Sequence, residues 1–377
     1  MNSFQVHSPQ RIIFGEGKSE LISQEIEKLD CKRPLIISDD NIIITEAFAK
    51  IVDILNDNGF EPSFLTEIEP DPDYQTALKL ADKISDCDVL IGIGGGSVLD
   101  ITKVVSVLKT NNQAISTMFG IEQIEKLGLK TILLPTTAGT GSEVTNIAIL
   151  SDNEEELKKG MVSDYLLADT VILDPHLTYT CPKTVSASSG IDALIHAMEA
   201  FTSVKANPFS DNLAQAAIEI ITKNILSACQ NKKQERGKML LGSMMAGQAF
   251  CCAGVTAVHA FAYPIGAKYH IPHGIANSIM LPYIFQHNYD ADSQKFESIA
   301  KIIKKNCSID PKAKHIKDII KDLLSKLGID KTLRDFGAKE GEIAELAENV
   351  LKVTRLLSNN PKKINYEDAL RIYRAAY

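Results

Sequence analysis

Short, β-branched apolar runs alternate with amphipathic stretches through the first half of the chain. Pro34–Ser38, Asp88–Ile93, Thr131–Leu134 and Val171–Leu173 have the length and composition of buried strands. Ser19–Leu29, Glu46–Asn58, Tyr74–Ser85 and Val98–Leu108 repeat apolar residues at helical spacing. Such alternation predicts βαβ units around a parallel sheet, since parallel neighbours need a crossover long enough to hold a helix. Near Pro182 the pattern changes. Ile191–Thr202, Asp211–Cys229, Lys238–Phe250, Ser293–Lys304, Ile316–Leu327, Ile343–Val353 and Tyr366–Ala376 read as helix after helix, with strand-like runs nearly absent. The expected organisation is an N-terminal α/β domain over residues 1–183 and an all-α helical domain over residues 184–377.

Met239–Ala267 contains no charged side chain and is long enough to span a bilayer. It also carries Ser243, Gln248, Thr256, His259 and Pro264 and is rich in Gly and Ala, so a helix buried on all sides is the better expectation. The length of 377 residues suits about two domains. Forty basic against 48 acidic side chains leave a net charge of −8. With no basic cluster, this argues against a nucleic-acid partner, which needs a positive stripe. Seven scattered cysteines without CxxC spacing suit a reduced, cytoplasmic protein. The polar stretch Met1–Arg11 lacks the apolar core of a signal peptide.

Two loops carry the signature of phosphate or ribose contact. Asp88–Ile93 runs into Gly94-Gly95-Gly96-Ser97 and then a helix, where small residues let backbone N–H groups and the helix N-terminus approach a phosphate. The spacing is not GxGxxG, so no standard dinucleotide fingerprint is present. Thr131–Leu134 is followed by Pro135–Thr145, which concentrates hydroxyls, glycines and Glu143. Asp39, just past Pro34–Ser38, stands where a carboxylate either accepts from adenosine ribose hydroxyls, favouring NAD over NADP, or caps the next segment.

Four of the eight histidines lie at His196, His259, His270 and His273. Asp192 and His196 are spaced i, i+4, so a helix projects both from one face. His259 lies in the uncharged run, where a lone polar side chain needs a partner. His273, between Pro272 and Gly274, suggests an ordered turn. A carboxylate with imidazoles suits Fe²⁺ or Zn²⁺ rather than Mg²⁺ or Ca²⁺. A plain helix-face contact and hydrogen-bonded core histidines are the competing explanation.

GGGSVLD (Gly94–Asp100), PTTAGTGSEVT (Pro135–Thr145), Asp174-Pro175, GIDALIHAMEA (Gly190–Ala200) and HAFAYPIGAKYHIPHGIANSIMLP (His259–Pro282) together resemble the iron-containing (group III) alcohol dehydrogenase family over essentially the whole chain. The resemblance implies a Rossmann-like nucleotide-binding domain followed by an α-helical domain, with the active site in the cleft between them. It implies metal ligands at Asp192, His196, His259 and His273, and dinucleotide contacts at Asp39, Gly95, Gly96, Ser97, Thr136, Thr137, Thr140, Thr145 and Lys158. Several members carry a further histidine four positions after the third ligand; Tyr263 stands there in this chain, so either His270 or Tyr263 is expected to relay the proton. Phe250 is implied as a pocket wall, while Cys251-Cys252 departs from relatives.

The function so implied is hydride transfer between a small alcohol or aldehyde and a nicotinamide, NAD or alternatively NADP, with Fe²⁺ or Zn²⁺ as the metal, in a homodimer or higher homo-oligomer. The apolar residues Ala257, Phe261, Ile265 and Ile275 favour an uncharged substrate. Two alternatives are a dehydroquinate synthase-like lyase, which needs basic residues around its substrate, and a nucleotide-sensing module without turnover. No nucleic-acid or membrane partner is expected.

Overall fold

A computed structural model describes residues 3–153 and 157–377. The strands are β1 (Arg11–Phe14), β2 (Pro34–Ile37), β3 (Ser63–Leu65), β4 (Val89–Gly94), β5 (Gly120–Ile121), β6 (Lys130–Pro135), β7 (Ile147–Asp152), β8 (Leu157–Val162) and β9 (Thr170–Leu173). Helices α1 (Ile22–Lys28), α2 (Asp40–Ile43), α3 (Glu46–Asp57), α4 (Tyr74–Lys83) and α5 (Gly96–Leu108) lie between them. The second half holds α6 (Lys183–Thr202), α7 (Pro208–Ala228), α8 (Lys233–Ala253), α9 (Ala257–Tyr269), α10 (His273–Asn288), α11 (Ser293–Asn306), α12 (Ile316–Leu327), α13 (Ile343–Leu351), α14 (Thr354–Leu357) and α15 (Tyr366–Ala376). The chain divides into two units: His7–Pro182, and Lys183–Tyr377 with the described residues before His7.

The first unit is built on a six-stranded parallel sheet ordered β1-β9-β6-β4-β2-β3. Apart from Lys130 at the start of β6, its central strands are buried throughout because helices cover both faces, and alternate side chains serve opposite sides. Leu35 and Ile37 of β2 pack with Leu90, Leu80, Ile101 and Val104 on one face. Ile36 packs with Ile91, Ile132, Ile22, Phe48 and Leu55 on the other. Registers Ile37↔Gly92 and Gly94↔Pro135 bring the carboxyl ends of β2, β4 and β6 side by side. Ligands of open α/β sheets bind at that edge.

A second, three-stranded sheet ordered β5-β8-β7 was not legible in the sequence. Strand β8 (LKKGMV) is too polar to stand out and is held by antiparallel pairing with β7. The edge strands β1 and β3 were missed for a similar reason: their exposed positions blur the hydrophobic pattern.

The second unit is helical throughout its described elements. One expectation is corrected. Met239–Ala267 is not a single buried helix but the end of α8 and most of α9, which meet at 103°. Gly254, with φ +73°, ends α8, and α9 starts again after Thr256. Among the described residues no single helix is long and apolar enough to cross a membrane. His273 likewise lies not in a turn but at the first position of α10, after Pro272, whose fixed φ suits a helix start.

Candidate functional site

The α/β unit supplies two adjoining loops. Gly94 ends β4, and α5 begins at Gly96, so the glycine run is the strand-to-helix turn itself. The second loop is joined to it where the Thr136 N–H donates to the Gly94 carbonyl at 2.9 Å. Gly95, Gly96, Ser97, Thr136, Thr137 and Thr140 thus gather at one sheet edge. Asp39 stands at the same edge after β2, and its carboxylate accepts from the Asn41 N–H at 3.0 Å, so it does cap α2 while its remaining oxygen lone pairs stay available. Lys158 comes from β8 and pairs with Asp71 at 2.7 Å, whose own N–H donates to Ser97 Oγ at 3.2 Å. Thr145 is buried, and its hydroxyl donates to the Ser142 carbonyl at 3.3 Å.

Beneath the second loop lies a buried charge cluster. Lys103, 1% exposed, donates to the carbonyls of Ser142, Thr145 and Ile147 and lies 3.4 Å from Asp100. This ties the loop to α5. Glu143 is buried beside it, and among the described residues its Oε1 has no hydrogen-bond partner. Burial pushes its carboxyl up to about 7, against the pull of its own backbone N–H and Lys103, with Asp100 adding to the rise. A carboxyl raised in the folded state holds its proton more tightly there than in the unfolded chain. The native state therefore loses stability as pH climbs from the ordinary carboxylate range through about 7, and then levels off. Glu143→Gln is expected to gain on the wild type across that window, by about 1–3 kcal/mol at pH 8. Thermal unfolding of both proteins at pH 5 and pH 8 checks it; a constant gap would contradict it.

The helical unit supplies the second constellation. Asp192, His196, His259 and His273 each offer a ligand atom, all within 4.8 Å of one another. Asp192 and His196 sit one turn apart on α6, His259 on the first turn of α9, and His273 opens α10. His259 Nε2 lies 3.0 Å from His196 Nε2 and 3.7 Å from Asp192 Oδ1. His273 Nε2 is also 3.7 Å from Asp192 Oδ1, and His196 Nδ1 is 4.0 Å from Asp192 Oδ2. Ligand atoms about 2.1 Å from a tetrahedral metal stand about 3.4 Å apart, so this spacing fits a divalent ion. Glycine makes the approach of α10 to α6 feasible. A Cβ on Gly274 would stand 2.1 Å from the Ser188 carbonyl oxygen, one turn before Asp192.

Electrostatics agree with a ligand set. Burial pushes His196 down to about 4, Asp192 opposing, so its imidazole is neutral and has a lone pair to give. Burial, the largest influence on Asp192, acts against its charge, yet His196, His273, His259 and the Asn277 amide together hold the carboxyl below its ordinary range. Phe250 stacks on His196 with ring centroids 4.5 Å apart, walling one side of the cluster.

Two partners escaped the sequence reading. Asn277, one turn past His273 on α10, donates to Asp192 Oδ1 at 2.7 Å and lies 3.2 Å from His273 Nε2. Glu199, wholly buried on α6, reaches His259 Nδ1 at 2.5 Å. The signal for Glu199 was present in the sequence: a second acidic residue, one turn beyond His196, among the apolar side chains Ala197, Met198, Ala200 and Phe201. The two relay candidates differ. The Tyr263 ring lies 6.4 Å from that of His273, whereas His270 is exposed at the end of α9 with φ +52°.

A nucleotide-type parallel sheet followed by a helical unit with an Asp-His₃ centre defines a metal-dependent, nicotinamide-linked class of enzyme. The family model described as iron-containing alcohol dehydrogenase matches residues 9–175, and that for the C-terminal part of the Fe-containing family matches residues 186–377. The chain is 37% identical to long-chain-alcohol dehydrogenase 1 of Geobacillus thermodenitrificans, with 98% of this chain and 97% of that protein covered. The crystal structure of a 1,3-propanediol oxidoreductase superimposes with a TM-score of 0.93 at 31% identity, each chain covered fully. Sulfoacetaldehyde reductase from Bifidobacterium kashiwanohense, solved with NAD⁺, gives 0.88 at 28% identity over 100% of this chain and 99% of that one. This chain belongs to the iron-containing alcohol dehydrogenase family. It is an oxidoreductase acting on alcohols or aldehydes, and the lyase and sensor alternatives are not favoured.

Proposed function

We propose that the protein interconverts a small, uncharged primary alcohol and its aldehyde, with NAD as hydride carrier and Fe²⁺ at the Asp192, His196, His259 and His273 site. The convergence of one carboxylate and three imidazoles within 4.8 Å carries this reading. A divalent metal held there supplies Lewis acidity toward the alcohol or carbonyl oxygen.

The protein's own groups do the rest. The N-terminus of α5 and the amides of Gly95, Gly96 and Ser97 receive the pyrophosphate, where free N–H groups and the helix dipole favour negative charge. Thr136, Thr137, Thr140 and Thr145 line the neighbouring loop, and Lys158 with Asp71 forms a neutral pair suited to hydroxyls more than to phosphate. Asp39 accepts from the adenosine ribose and repels a 2′-phosphate, which favours NAD over NADP. Phe250 keeps water from one face of the metal cluster. Tyr263, whose ring lies 6.4 Å from that of His273, passes the hydroxyl proton outward, with exposed His270 as the terminal acceptor. A nicotinamide bound there would take the hydride of the carbinol carbon as that proton leaves, so that oxidation of the alcohol would balance reduction of NAD. We assign the dinucleotide to the 1–183 region and the metal to 184–377, and we propose a homodimer or higher homo-oligomer and a cytoplasmic location.

The test is absorbance at 340 nm with an alcohol and aldehyde panel, NAD or NADP, and protein loaded anaerobically with Fe²⁺. NADH formed from short-chain alcohols is expected. Cofactor binding without turnover of any member of the panel would overturn the proposal.

A further inference from the structure

We infer that Glu199 is a positioning residue for the metal centre, fixing His259 with Nε2 turned toward the ion and completing the charge balance around it. The inference rests on reading the four-residue cluster as a metal site. Glu199 lies seven residues after Asp192 and three after His196, on the stripe of α6 whose side chains meet His259 of α9 and His273 of α10. Its two carboxylate oxygens have separate partners. Oε1 accepts from the Thr256 hydroxyl at 2.5 Å and from the Val258 N–H at 2.7 Å, at the first turn of α9. Among the described residues, Oε2 meets only the ring nitrogen of His259, at 2.5 Å.

That division separates two jobs. Capping α9 needs one anionic oxygen near the helix N-terminus, and Oε1 provides it. Thr256, although at the N-cap position, makes no side-chain cap of its own and instead spends its hydroxyl on Glu199. Oε2 adds nothing to the cap. Its partner must be a donor, since a carboxylate only accepts, so His259 carries its proton on Nδ1 and presents a bare lone pair at Nε2. Nε2 is the atom 3.0 Å from His196 and 3.7 Å from Asp192. With Asp192, Glu199 supplies a second buried negative charge, enough to balance a divalent cation.

The experiment uses the full-length protein, stripped by chelator and titrated with Zn²⁺, with unfolding temperature recorded with and without the ion. Glu199→Gln is expected to weaken Zn²⁺ binding 10–100-fold and to shrink the Zn²⁺-induced rise in Tm. Thr256→Val, which disturbs the helix start but leaves the carboxylate, is expected to lower the metal-free Tm while keeping Zn²⁺ affinity within about threefold, by the ordinary scale of one lost hydrogen bond. Equal Zn²⁺ affinity in wild type and Glu199→Gln, with only the metal-free Tm lowered, would reduce Glu199 to a helix cap and overturn the inference. Nitrogen-15 NMR of histidine-labelled wild type with Zn²⁺ gives an answer even if the variant does not fold. A protonated Nδ1 on His259 supports the assignment, and a metal bound through Nδ1 refutes it. Wild type that takes up no Zn²⁺ would sink the metal reading as well.

Discussion

Replacing His259 with alanine is expected to lower kcat by at least about a thousandfold, with NADH binding unchanged within a few-fold. The size follows from what the site supplies: Lewis-acid assistance contributes several kcal/mol, and each 1.36 kcal/mol is a factor of ten. His259 touches two of the other three ligands and is anchored by Glu199, so its loss both removes a donor and leaves Glu199 buried without its partner at Oε2. The residues expected to hold the dinucleotide lie in the other unit, which is why cofactor affinity should survive. Steady-state rates, metal content by mass spectrometry and NADH fluorescence titration check the three parts separately. An active His259→Ala protein without metal would remove the basis of the scheme.

Gly274→Ala is expected to damage the site without touching any ligand. The added Cβ would lie 2.1 Å from the Ser188 oxygen and 2.8 Å from its carbonyl carbon, and both are backbone atoms that no rotamer change can move. α10 must therefore back away from α6. Overpacking of this kind costs about 1–3 kcal/mol or more. The same movement separates His273, adjacent in the chain, from Asp192 on α6. A misplacement of about 1 Å can cost about a hundredfold in rate. Lowered Tm together with metal lost on desalting is the expected result. Full occupancy and wild-type turnover would show that the α6–α10 approach does not set the ligand geometry.

Legibility differed from element to element for physical reasons. β2, β4, β6 and β9 were readable because strands buried on both faces are continuous apolar runs. α12 and α15 were found to the residue, since each has one wet and one dry face. β7 and β8 were not found, because Lys158 and Lys159 hide a strand whose stability comes from its partner. α8 and α9 were fused into one helix because a fully buried helix has no polar face to mark where it bends, and only the backbone of Gly254 reveals the corner.

The site divides the same way. The pairing of Asp192 with His196 follows from helical geometry alone, as does the glycine turn leading into α5. That His259 and His273, 63 and 77 residues beyond His196, join them is a matter of how α9 and α10 pack on α6. Family motifs predicted that meeting without explaining it. Local order along the chain determines which face of a helix a side chain occupies, because the peptide dihedrals repeat over a few residues. Which faces then come together, and whether Glu199 finds His259 or water, was decided by close packing between distant segments.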